Sequence, residues 1–275
     1  MEQISFVIVG FLAGTLGTII GIGGGLIVVP FLLLVYGFPA QQAAGTSLLM
    51  VFFNSLSGAL AYAKQKRIDY RSAWKFALST FPGAIAGSYI TGYLGDKIFH
   101  LIFGITMILI AASILLRGEK RSMSRKRKVK NLKGGNNFLF KESVRMVVDA
   151  VGRKYLYLVK ERLGILISFF VGFLSSALGI GGGIIHVPAM IYLLNFPTHI
   201  ATATSQTILC VSAFGGTSSH FVLGNVNLMA AIFLSLGAVF GAQMGAFFSS
   251  RMKASRIIKL LAFALILTGI RLIFT

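Results

Sequence analysis

Acidic side chains are the first shortage. Seven Asp and Glu stand against 26 Lys and Arg in a chain of 275 residues, and all seven fall in loops or at the ends of apolar segments. No carboxylate is left to relay protons through an apolar interior, so histidines are the only ionisable candidates there. Cysteine is nearly missing too: Cys210 stands alone inside an apolar segment, which excludes a disulfide framework within one chain. Charge of either sign is thin, at 12% of residues against roughly a quarter in a soluble domain. What fills the chain instead is apolar, 56% of it. Runs such as Ile98–Leu116, Leu163–Leu178 and Leu260–Ile270 hold at most one ionisable side chain each. Runs near 20 apolar residues match a hydrocarbon core roughly 30 Å thick, so the sequence reads as a polytopic, all-α membrane protein.

The net charge of +19 does not point to nucleic acid. Fifteen of the 26 basic residues lie between Arg117 and Arg162, and most others crowd two short loops. That is how cytoplasmic loops facing anionic lipid are built. The opening "MEQISFVIVGFLAG" lacks the basic start and small-residue cleavage site of a signal peptide, and reads as the first membrane helix.

The chain repeats itself. A shift of 158 positions aligns Gly14–Leu116 with Gly172–Phe274 without a gap and makes 23 of 103 pairs identical, eight of them within Gly21–Pro30. A period this long means two halves, here 1–117 and 162–275, around a basic insert at 118–161. Five hydrophobic segments are expected in each half, at about 4–20, 25–36, 41–63, 73–94 and 98–116, then 162–178, 183–194, 199–223, 228–249 and 256–274. The second of each set is short: a dozen helical residues rise only about 18 Å. Basic residues fill the third connection of the first half (Lys64, Lys66, Arg67, Arg71, Lys75) but the fourth of the second (Arg251, Lys253, Arg256, Lys259). If both loops and the insert are cytoplasmic, the halves are inverted repeats and both termini lie outside.

"GIGGG" occurs at Gly21–Gly25 and again at Gly179–Gly183. Glycine tolerates positive φ and lets a ligand approach the backbone. Irregular backbone at membrane depth survives only inside protein or beside a wet cavity, and interrupted helices in inverted repeats mark the midplane site of secondary transporters. The helix after each run starts with free N–H groups and a positive dipole end, both favourable to an anion. Candidate substrate-binding residues are therefore Gly23, Gly24, Gly25, Gly181, Gly182 and Gly183. To these the sequence adds the matched hydroxyls Thr46, Ser47, Thr204 and Ser205, the neighbouring Gln206, the polar Asn54 and Ser212 two turns on, and His186, which stands where the first half has Val28. The hydroxyls could equally satisfy their own helices, and His186 could equally be a bonded interior histidine. Gly83/Gly87 and Gly241/Gly245, spaced G-x-x-x-G, read as helix packing. A dinucleotide fingerprint fails on spacing and on the acid it needs about 20 residues downstream, where Gln41 and Gln42 stand. No cofactor, metal-ligand spacing or nucleophile–base pair is visible, so no enzyme is expected. Within the insert, the run around Asp149–Gly152 alternates as a β-hairpin would. Alone it would be marginal, so it would rest on the membrane face or on another subunit of a homo-oligomer.

Paired "GIGGG…P" runs, "FP" before the next segment, "ATATS", and "PGAIAGSYI" echoed by "GAQMGAFFS" resemble the sulfite exporter TauE/SafE family of permeases. The resemblance covers nearly the whole chain. Only the first half keeps the full P-G-A-x-x-G form, since Phe240 stands opposite Pro82. The resemblance implies passage of a small anion, such as a sulfur oxyanion, a sulfonate or an organic acid, across the cytoplasmic membrane. Potential-driven facilitated export by alternating access is the expected mode. The competing expectations are a proton- or sodium-coupled importer, an anion channel, and a membrane scaffold that captures partners through the basic insert.

Overall fold

A computed structural model describes residues 2–91, 93, 95–117, 142–249, 266 and 269–270. The basic run before Glu142, the loop bearing Arg251, Lys253, Arg256 and Lys259, and nearly all of the final expected segment lie outside the described residues. In chain order the elements are α1 (Glu2–Ile20), α2 (Gly25–Tyr36), α3 (Ala40–Lys64), α4 (Tyr70–Thr91), α5 (Asp96–Arg117), β1 (Glu142–Val148), β2 (Lys154–Lys160), α6 (Glu161–Leu178), α7 (Gly183–Tyr192), α8 (Thr198–Val222) and α9 (Leu228–Ser249). By length and composition four of them, α1, α3, α6 and α9, can cross a membrane, while α2 and α7 are too short.

Helix limits follow local chemistry. α4 starts three residues before the apolar run because Asp69 accepts the Ser72 N–H at 3.2 Å and caps the first turn. Asn227 does the same for α9 through the Ala230 N–H at 3.1 Å. α7 stops at Tyr192, where the Leu193 and Leu194 N–H groups both turn back to the Ala189 carbonyl and Asn195 takes a left-handed φ of 64°. Pro30 and Pro188 sit inside α2 and α7 rather than opening them, each removing one intrahelical hydrogen bond.

The long helices pack through glycine. On α1, Gly10 and Gly14 lie against the backbone of Leu234 and Ala238, while Gly237, Gly241 and Gly245 on α9 lie against the carbonyls of Val7, Phe11 and Thr15. On α4, Gly83 and Gly87 meet the carbonyls of Phe169 and Phe173 in the same way, and Gly172 of α6 meets that of Thr80. A Cβ at any of these positions would overlap the facing backbone. This is close packing, the role the G-x-x-x-G spacing suggested. α3 and α8 pack on each other, α3 also on α9 and α8 also on α4.

The hairpin is present and rests on its own chain. β1 and β2 pair antiparallel from Glu142↔Lys160 to Val148↔Lys154. Tyr157 and Val159 bury their side chains in a cluster with Phe76, Met190, Leu194 and Phe196, and the Ala150 N–H reaches the Gln65 carbonyl at 3.0 Å. A polar latch lies beside them. Asp69 accepts hydrogen bonds from Ser72 Oγ at 2.8 Å and from Tyr157 Oη at 2.9 Å, with Arg145 Nε 3.8 Å away. Arg145 and Lys75 both pair with Glu161. Burial, reinforced by the negative Asp69, pushes the Tyr157 phenol well above the usual tyrosine range, so it stays a donor. At the turn, burial opposes ionisation of Asp149. The N–H groups of Arg153 and Val151, the Tyr155 hydroxyl and the Arg67 charge outweigh it and hold the carboxyl below its ordinary value.

Candidate functional site

The two glycine runs meet at the centre of the molecule. After α1 the N–H groups of Gly21, Ile22 and Gly23 all fold back on the Gly17 carbonyl, at 2.8, 2.7 and 3.3 Å. Gly21, Gly23 and Gly24 then take left-handed φ angles of 87°, 83° and 86°. The second copy has the same hand, with 70°, 80° and 65° at Gly179, Gly181 and Gly182. No residue with a side chain holds three such angles in four positions without strain. α2 and α7 start immediately afterwards, on Gly25 and Gly183. Within α2 the first hydrogen bond comes from Ile27, which leaves the Gly25 and Leu26 N–H groups without a partner in their own helix. In α7 the Gly183 N–H instead turns onto the Gly181 carbonyl at 2.8 Å, so fewer amides stay open there.

The runs touch each other. A Cβ on Gly25 would lie 2.6 Å from the Gly179 carbonyl oxygen, and one on Gly183 would overlap that of Gly21. Those two carbonyls are also the acceptors for the matched serines: Ser47 donates to Gly179 at 2.9 Å and Ser205 to Gly21 at 3.0 Å. Thr46 and Thr204 accept instead, from the Asn227 N–H at 3.0 Å and the Asp69 N–H at 3.1 Å. All four hydroxyls thus tie one half of the chain to the other. Tyr62 and its counterpart His220 instead bind within their own halves, reaching the carbonyls of Thr18 at 2.8 Å and Ser176 at 3.4 Å.

The remaining polar candidates divide by side. Asn54 donates to the Gly23 carbonyl at 3.1 Å and faces Thr18 Oγ1 at 3.4 Å, and Gln206 Nε2 reaches the Gly17 carbonyl at 3.4 Å. These serve the first run. Beside the second run, a cavity of about 10 Å³ is lined by Thr80, Gly181, Gly182, His186, Leu209 and Ser212, among others, roughly room for one water. His186 is buried on α7, with Nε2 2.9 Å from Ser168 Oγ and Nδ1 unpartnered. Ser175 Oγ, also unpartnered and buried, stands beside Gly182. Val51 and Leu209 plug the space between the runs, against Gly23, Gly181 and Gly183.

Ser168 and Ser175 are the residues sequence reasoning missed. Their counterparts 158 positions earlier are Gly10 and Gly17, so a search guided by matched polar pairs passes over them. The available signal was their spacing of seven on α6, which puts both hydroxyls on one helical face.

The family described as sulfite exporter TauE/SafE matches residues 6–272. The chain belongs to that family. Among TauE/SafE relatives, it is 37% identical over 281 residues to a Bacillus subtilis (strain 168) protein described as "Probable membrane transporter protein YunE", covering 100% of this chain and 98% of that one. A Methanocaldococcus jannaschii protein, "Probable membrane transporter protein MJ0441", is 27% identical over 260 residues, covering 87% of this chain and 83% of that one. YjnA, a "Probable membrane transporter protein" also from Bacillus subtilis (strain 168), is 26% identical over 287 residues, 98% of this chain and 100% of that one. No solved structure matches. The chain is thus a membrane protein of a transporter family. Its family and relatives are described as transporters, which points away from an enzyme.

Proposed function

We propose that this TauE/SafE protein moves a small anion, a sulfur oxyanion, a sulfonate or a related organic anion, by alternating access between two inverted halves, 1–117 and 162–275. The observation that carries this reading is the meeting of the two glycine runs, where α2 and α7 both begin and each run's carbonyl is held by a serine of the other half. Several contacts recur with both partners displaced by 158 positions: Ser47–Gly179 with Ser205–Gly21, Thr46–Asn227 with Thr204–Asp69, and Tyr62–Thr18 with His220–Ser176. Such exchange supports a two-fold relation between the halves. The closed centre, plugged by Val51 and Leu209, suits an occluded state between two openings. In this reading the insert faces the cytoplasm and both termini lie outside the cytoplasmic membrane. Inversion requires Lys66 and Lys253 to share a side, so an impermeant amine reagent applied to sealed right-side-out vesicles should label neither; labelling of one alone would end the inverted arrangement.

Export needs no coupling ion. The membrane potential is worth about 2.3 kcal/mol per charge per 100 mV, so a negative interior expels an anion unaided. The flux test is direct. Proteoliposomes loaded with radiolabelled sulfite should release it faster when a valinomycin-set potential is inside-negative, with no requirement for sodium. Accumulation against the potential, dependent on a sodium or proton gradient, would replace export with coupled import. That second reading draws on His186 and its unpartnered Nδ1.

A further inference from the structure

Of the polar side chains that line the cavity, Thr80 comes from the first half and His186 and Ser212 from the second, with Ser168 against His186 and Ser175 beside Gly182. His186, Ser168, Ser175 and Ser212 stand where the first half has Val28, Gly10, Gly17 and Asn54. Ser168 Oγ makes two contacts, 2.6 Å to the Gly164 carbonyl and 2.9 Å to His186 Nε2. A hydroxyl has one proton to donate, and the shorter contact, to an oxygen that can only accept, takes it. The proton on the longer contact is therefore the imidazole's own. His186 donates through Nε2, and its Nδ1 presents a lone pair. That nitrogen has no partner, and His186 is 2% exposed and lines the cavity.

A bare lone pair repels an oxyanion and welcomes an O–H. We propose that the cavity recognises an oxyanion in its singly protonated form, whose O–H donates to His186 Nδ1 while its charged oxygens turn to the Ser212 and Ser175 hydroxyls. This rests on the anion-transport reading and specifies the species that the site takes. Phe76 and Thr80 approach from α4, Phe76 edge-on at 5.9 Å; Ser168, Val171 and Ser175 lie on α6; Ile208, Leu209 and Ser212 lie on α8. No charged side chain acts on the imidazole among the described residues. The cavity holds about one water's volume, so binding of an anion requires Leu209 and Val171, which line it, to withdraw. A protonated oxyanion also carries less charge, which suits a site with no buried cation.

The test is equilibrium binding to the full-length protein in detergent, with radiolabelled sulfite and sulfate as probes at pH 6 to 8.5. Hydrogen sulfite carries an O–H and gives it up near neutrality, whereas sulfate has none across this range. Sulfite affinity should fall about tenfold per pH unit above the anion's own second ionisation, in step with the competent fraction. Sulfate should bind at least tenfold more weakly at every pH. His186→Leu should erase this preference, and His186→Gln, which keeps an acceptor oxygen, should retain much of it. Sulfate binding that strengthens on acidification would move the proton to His186 and overturn the proposal. So would a flat sulfite profile, or an unchanged sulfite-to-sulfate ratio in a folded His186→Leu protein. Because binding is read without flux, tight pH-dependent binding with no transport would sink the transport reading and leave this one standing.

Discussion

Gly24→Ala is expected to abolish transport and to lower the thermal midpoint of the purified protein sharply. Gly24 holds φ at 86°, and a Cβ there would stand 2.6 Å from the Ala13 carbonyl oxygen. The left-handed conformation alone costs about 1–2 kcal/mol for a residue with a side chain. The overlap adds more, because the atom it meets is backbone of α1 and cannot rotate away. Gly182→Ala should be somewhat milder: φ is 65° and the nearest atom, 2.9 Å away, is the Ser175 side-chain oxygen, which can move. Gly37 gives the control. Its φ of 63° is also left-handed, but nothing lies within 4 Å of its Cβ position, and its counterpart in the second half is Asn195 with φ 64°. Gly37→Asn should therefore leave both flux and midpoint close to wild type. Normal flux through Gly24→Ala would show that the tight meeting of the runs is not needed for the cycle.

The second large effect is expected at Asp69. Replacing it with alanine removes the acceptor for the Ser72 N–H and Oγ and for Tyr157 Oη, together with the charge facing Arg145. Breaking a buried pair by deleting one partner costs roughly 3–5 kcal/mol, and Asp69 and Arg145 are 5% and 8% exposed. The hairpin should loosen, so limited proteolysis at its exposed turn should speed up at least tenfold while α1–α9 packing survives. Asp69→Asn copies what the second half has at Asn227. It should keep the α4 cap, lose the charge, and fall between the two. A cleavage rate unchanged in Asp69→Ala would mean that Tyr157 and Val159 hold the hairpin by apolar contact alone.

Much of the architecture could be read beforehand because hydropathy and turn chemistry are local. The segments expected at 4–20, 25–36 and 41–63 became α1, α2 and α3 within a few residues, and the glycine runs interrupt the helices where their composition required. The alternation around Asp149–Gly152 is a hairpin. The partners of the matched hydroxyls were not readable. Ser47 bonds a carbonyl 132 positions away and Ser205 one 184 positions away, distances at which one chain's pattern carries no register. In the sequence Asp69 is just one of seven acids in loops or at segment ends. Its function as cap and latch depends on Tyr157 and Arg145 arriving from the insert. Ser168 and Ser175 escaped because the duplication that exposed the other polar residues is broken at their positions.

One junction has a mechanical meaning. Lys160 closes β2 and Glu161 opens α6 with no residue between them, so a displacement of α6 is passed to the hairpin with no slack of chain in between. The far end of the hairpin is held in turn, by the Ala150 N–H on the Gln65 carbonyl just past α3. A tilt of α6, the helix that carries Ser168 and Ser175, would thus pull on the end of α3 through the insert, a strap joining two helices of opposite halves.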